Sequence, residues 1–137
     1  MNKTEKDEPN IIFFDGVCNL CNFWVKFVIK NDPNGIFYFS SLQSKFAKSF
    51  MEQKNIKLDF ETIIFCSIGK ISQESEAIVS ILYVMGGFYR ILSRLIKPIP
   101  INIRNLIYKL ISKNRYQIFG KREHCMIPDD KIKQRFL

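Results

Sequence analysis

Two cysteines stand close together near the start of the chain, in Cys18-Asn19-Leu20-Cys21. Thiols at this spacing can exchange with a disulfide, supply half of a zinc site, or lie buried as small apolar side chains. The exchange reading depends on where the pair sits. At a helix N-terminus, unbonded backbone N–H groups and the helix dipole stabilise an anion. The Cys18 thiolate would be that anion, with its pKa below that of an ordinary cysteine. Thiolate is the attacking species in disulfide exchange, so a larger thiolate population favours attack. One helical turn then brings Cys21 near enough to resolve the mixed disulfide and release the product. Cys18 is the nucleophile in this reading, Cys21 the resolving thiol, and no cofactor is needed.

Asp15, just before the pair, has two readings. As a general base it would take the proton of Cys21 in the second exchange step. A carboxylate there also opposes thiolate formation. As a turn residue it would bond the N–H groups of Val17 or Cys18. Cys125 adjoins His124, the single histidine of the chain. It is either a third thiol brought to the dithiol or a small buried residue. With His124 it would complete a tetrahedral metal set of Cys18, Cys21, Cys125 and His124. Arg115 would stabilise a thiolate or an anionic substrate such as glutathione, or else form a surface ion pair. Cys66 reads as core and Trp24 as packing.

The surrounding pattern supplies the elements that would position these groups. Ile11 to Phe14 is a short apolar run ending at Asp15-Gly16, which predicts a buried strand. A wide apolar face over Asn19 to Lys30 predicts a helix, stopped by Asn31-Asp32-Pro33-Asn34-Gly35. Ile36 to Ser40 reads as a second strand. Ser40 and Gln43 fit a capping box for a helix over Leu42 to Gln53. Thr62 to Phe65 reads as a third strand, with Ile68 as its outer limit. Gly69-Lys70 reads as a hairpin turn and Ile71 opens a return strand. Ser75 is the expected N-cap of a helix over Glu76 to Met85, broken by Gly86-Gly87. Helices over Phe88 to Ile96 and Ile103 to Ser112 follow, separated by Pro98 and Pro100. Asn114 to Leu137 reads as loop, with a short helix after Asp129. Strand, helix, strand, helix, hairpin, helix is the order of an α/β thioredoxin-like core, here with a mixed sheet and a C-terminal helical extension.

With 137 residues, 47% of them hydrophobic, the chain suits one domain with an ample core. Residues 1–10 are polar and read as a flexible leader. Residues 11–137 read as a single domain, extended by helices from about residue 88. No apolar h-region opens the sequence, so a cytoplasmic location is expected. Thiols stay reduced there, which favours a catalytic or metal-binding cysteine pair over a structural disulfide. The run Ala77 to Tyr89 is too short to span a membrane.

The net charge of +8 is unevenly placed. Residues 88–137 hold 12 Lys and Arg against Glu123, Asp129 and Asp130, a net +9 that leaves −1 for the rest. The basic residues are spread rather than clustered, and aromatics are not interleaved with them in a nucleic-acid-binding pattern, so no nucleic-acid partner is expected. Two readings stand: solvated helix faces, or peripheral contact with an anionic membrane or a protein.

Phe13-Phe14-Asp15-Gly16-Val17-Cys18-Asn19-Leu20-Cys21-Asn22 resembles the DGxCxxC signature of the DCC family of thiol-disulfide oxidoreductases. Ser75-Glu76-Ala77 resembles its SxA at a helix start. Asn114-Arg115-Tyr116, then Phe119-Gly120, Cys125 and Pro128, resemble its C-terminal pattern. The resemblance implies a thioredoxin-like fold and dithiol–disulfide exchange with a protein or small-molecule thiol or disulfide. One departure from thioredoxins concerns the cis-proline they carry before the strand facing the dithiol. Leu58-Asp59-Phe60-Glu61-Thr62 contains no proline. That places general protein disulfide exchange in question and adds weight to metal binding.

Overall fold

A computed structural model of the chain describes residues 10–16, 19–32, 35–56, 63–67, 70–114, 117–118, 120 and 136. The first strand, β1 (Asn10–Phe14), sets the layers. Side chains alternate across a strand. Ile12 and Phe14 therefore join one core, with Val25 and Val28 of helix α1 (Asn19–Lys30) and Ala77 and Ile81 of helix α3 (Glu74–Met85). Ile11 and Phe13 join the other, with Ala47 and Met51 of helix α2 (Lys45–Gln53). Burying both faces of β1 explains why its sequence is a continuous apolar run rather than an alternating one.

The sheet holds four strands in the order β2-β1-β3-β4, with β2 Phe37–Ser41, β3 Ile64–Ser67 and β4 Lys70–Gln73. β1 and β2 are parallel, from Asn10 opposite Phe37 to Phe14 opposite Ser41. β3 runs antiparallel to both β1 and β4. This mixed sheet, with α1 and α3 on one face and α2 on the other, is a thioredoxin-like arrangement. Helices α4 (Gly87–Ile96) and α5 (Ile101–Lys113) follow as the C-terminal extension, making five helices among the described residues.

Several boundaries differ from expectation for local reasons. Asn10 is already in the β1 ladder, so only residues 1–9 of the expected leader precede the strand, and they lie outside the described residues. The capping box on Ser40 does not form. The Ser44 hydroxyl caps α2 instead, accepting from the Ala47 N–H at 3.0 Å, so the helix starts at Lys45 and not Leu42. Lys70 pairs with Ser67, which places it in the ladder rather than in the hairpin turn. Gln73, not Ser75, occupies the N-cap position of α3. Ser75 lies one residue inside the helix, buried, and its hydroxyl donates to the Asn105 side-chain oxygen.

Gly86 and Gly87, with φ of 77° and 56°, turn α3 into α4. A Cβ would meet nothing within 4 Å at either position, so backbone conformation rather than space calls for glycine. α4 returns along α3. The Ser93 hydroxyl donates to the Val79 carbonyl at 3.0 Å, and the Arg90 guanidinium lies 4.4 Å over the Tyr83 ring. Near the other end of the chain, Phe136 bridges to Phe39 in parallel fashion at the outer edge of β2. Its ring lies 5.4 Å from that of Phe39 and 6.3 Å from that of Phe14.

Candidate functional site

The site grows from the carboxyl end of β1, where the chain leaves the sheet to begin α1. Asp15 and Gly16 form this exit and both are buried. One side chain from the neighbouring connection holds both residues. The Gln43 amide nitrogen donates to Asp15 Oδ1 at 2.8 Å. Its amide oxygen accepts the Gly16 N–H at 3.0 Å. The Ser41 hydroxyl donates to that same oxygen, and the Gln43 backbone N–H donates back to Ser41 Oγ at 3.1 Å. From the other side, the Asn22 amide donates to the Gly16 carbonyl at 2.9 Å. Gly16 is thus held through its N–H by the β2–α2 turn and through its C=O by the first turn of α1.

The parallel pairing of β1 and β2 is what allows this. Parallel strands carry their exits to the same end of the sheet, and the Leu42 N–H donates to the Phe14 carbonyl at 2.7 Å, extending the pairing past the strands. Gln43 therefore meets the Asp15-Gly16 exit from 28 residues away in sequence. Buried polar groups cost free energy unless bonded. A carboxamide carries a separate donor and acceptor, so it can donate to the Asp15 carboxylate and accept from the Gly16 N–H at once.

Cys21 lies in the first turn of α1, half-buried, and packs against the core that contains Ile12 and Phe14. Trp24, one turn on, joins the same core and stacks on Phe27 at 5.5 Å. Cys66 is buried on the opposite face of the sheet, among Ile11, Phe13 and Ile64. The sheet therefore separates the two thiols, and Cys66 is core, as expected. Cys18, Arg115, His124 and Cys125 lie outside the described residues. Among the described residues, no group of three or more His, Cys, Asp or Glu could hold a metal ion.

Two site residues went unnoticed in the sequence. The sequence pattern reads Gln43 as a helix-capping residue and Asn22 as one more residue of α1. The available signal was the parallel topology itself, which brings the residues following β2 to the exit of β1. Asp15 takes a partner that neither of its two expected roles included, the Gln43 amide. A cleft of about 630 Å³ exists elsewhere, between β3, β4, α3 and α4, lined in part by Ser67, Lys70, Tyr83 and Arg94. Ser67 and Lys70 close the β3–β4 ladder at the end away from Ile64, and thus away from the β1 exit.

The four-stranded mixed sheet and its flanking helices, with a cysteine in the first turn of the helix after β1, define a protein of thioredoxin-like fold. More specifically, the chain belongs to the DCC1-like thiol-disulfide oxidoreductase family, whose model matches residues 12–121. It is 39% identical over 136 residues to YuxK, an uncharacterized protein of Bacillus subtilis strain 168, covering 98% of each chain. It is 31% identical over 122 residues to a chloroplastic DCC family protein of Arabidopsis thaliana, covering 88% of this chain and 71% of the relative. No solved structure matches it. Among the described residues, no helix is long and apolar enough to cross a membrane.

Proposed function

We propose that this protein exchanges thiols and disulfides through Cys18 and Cys21, with Cys18 attacking and Cys21 resolving. The observation that carries the reading is the position of Cys21 in the first turn of α1, directly after an exit held by Gln43 and Asn22. Cys18 precedes α1 by one residue. The Cys18 thiolate attacks one sulfur of a substrate disulfide, forming a mixed disulfide and expelling the other sulfur as a thiolate. Cys21, deprotonated, attacks Cys18 Sγ, closes the Cys18–Cys21 disulfide and releases the substrate as a dithiol. Two electrons pass to the substrate, and a reducing thiol restores the pair. Asp15, whose carboxylate accepts from the Gln43 amide, would take the Cys21 proton as general base. The substrate class is a thiol or disulfide, protein or small molecule.

Competitive alkylation tests this reading on the folded, reduced chain. Cys18 is expected to react about tenfold or more faster than Cys66 near neutral pH, with a midpoint below that of an ordinary cysteine. Equal rates for the two would sink the nucleophile assignment. Equilibration of the Cys18–Cys21 couple with glutathione should give a measurable potential. Failure to form that disulfide would exclude the two-cysteine cycle.

A further inference from the structure

An amphipathic helix on a globular protein ordinarily turns its apolar stripe to the core and its polar side to water. α5 does the reverse. Its protein-facing side carries polar groups, together with the Tyr108 ring, which packs against the core. The Arg104 guanidinium pairs with Glu76 at 3.5 Å, the Asn105 side chain accepts from Ser75, and Tyr108 Oη accepts the Ile63 N–H at 2.8 Å. Its outward side is apolar, with Ile103, Leu106, Ile107 and Leu110 all more than half exposed. No residue of α5 is buried.

α4 adds a second stripe. Phe88, Ile91 and Leu95 share one side of the helix by their spacing and are 59–70% exposed. Ile99 and Ile101 continue the exposed apolar surface through the connection between the two helices. The charged residues of the two helices and their connection are all of one sign. No acidic residue occurs between Glu76 and Glu123. Arg90, Arg94, Lys97, Lys109 and Lys113 of the helical pair are all exposed.

We propose that α4 and α5 form an interfacial module that docks this protein peripherally on an anionic lipid surface. Helices of 10 and 13 residues are too short to span a bilayer and suited to lie within its headgroup region. Outward Ile, Leu and Phe would enter the acyl boundary while the cations meet lipid phosphates. Charge selects this occupant. A second copy would bring an identical cationic face against the first and be repelled, whereas anionic headgroups complement both features at once. The links from Tyr108 to Ile63 and from Asn105 to Ser75 tie α5 to the end of the sheet where β1 exits. Docking would therefore hold the dithiol end close to the lipid surface.

Vesicle co-sedimentation of the full reduced chain is the test. Strong binding is expected to vesicles of equal parts phosphatidylglycerol and phosphatidylcholine, weakening as salt is raised, with little binding to pure phosphatidylcholine. Each cation near the surface is worth roughly fivefold in partitioning. The double variant Leu106→Ser/Leu110→Ser should bind about tenfold or more weakly, since it removes apolar area that would enter the lipid. Its outward positions leave the fold intact, checked by circular dichroism and an unchanged Cys18 alkylation rate. No sedimentation with the anionic vesicles at low salt would overturn the proposal, as would equal binding by the double variant. A dimer in ultracentrifugation that the double variant dissolves would overturn it in favour of self-association.

Discussion

β1 and α5 place apolar side chains in opposite ways. In β1, Ile11 to Phe14 are at most 4% exposed, and both faces of the strand are packed. In α5, Arg104, Asn105 and Tyr108 turn inward while Ile103, Leu106, Ile107 and Leu110 turn to solvent. The sheet is held by burial, which is non-directional and scales with area. α5 is tied to the rest of the protein by directional polar links from Arg104, Asn105 and Tyr108, and by the Tyr108 ring packed against the core that contains Ile12 and Phe14. An element attached in this way leaves its apolar stripe available for something else. The comparison separates residues that make the fold from residues that the fold displays.

Truncation should expose this contrast most strongly in the sheet. Phe13→Ala removes a fully buried ring that contacts Phe50 at 4.9 Å and should cost about 3 to 5 kcal/mol, read by urea unfolding. A loss below about 1 kcal/mol would mean that the α2 face contributes little. An intermediate effect is expected where α5 is anchored. Tyr108→Phe removes the acceptor of the Ile63 N–H and should cost about 1 to 2 kcal/mol. It should also speed amide hydrogen exchange at Ile63. The smallest change belongs to the displayed stripe. Leu106→Ser should shift stability by no more than about 0.5 kcal/mol without lipid, because that side chain is 58% exposed. A larger loss would show that Leu106 packs on the protein in solution and would erase the contrast.

The elements that depend on local pattern were legible in the sequence. α1 spans Asn19–Lys30 as its apolar face and the Asp32-Pro33 stop indicated. The four strands and their mixed pairing followed from the order of elements. Caps were less legible, because Ser40, Ser44 and Ser75 are chemically alike and only the backbone path decides which hydroxyl meets a helix N–H. Ser40 is drawn away by its contact with Ser44 Oγ at 2.9 Å, and Ser75 by Asn105. The contacts of Gln43 with Asp15 and Gly16 were illegible because strand pairing, not sequence proximity, brings these residues together. The facing of α5 was illegible for a different reason. A period of 3.6 reveals that a helix has an apolar stripe, but not whether that stripe meets the core. Arg104 and Asn105 face the protein because Glu76 and Ser75 of α3 meet them there, tertiary contacts that no local pattern displays.

The contact of Phe136 with Phe39 bears on the order in which the molecule is made. β2 is an edge strand, and an open edge invites pairing with another chain. Phe136 meets Phe39 at that edge, yet it is translated about a hundred residues after it, a delay of roughly 5 to 20 s at ordinary synthesis rates. For that interval the nascent chain carries a sheet edge that lacks this cover. Pausing within the last stretch, or loss of Phe136 by early termination, should be felt first as aggregation during synthesis rather than as a loss of chemistry.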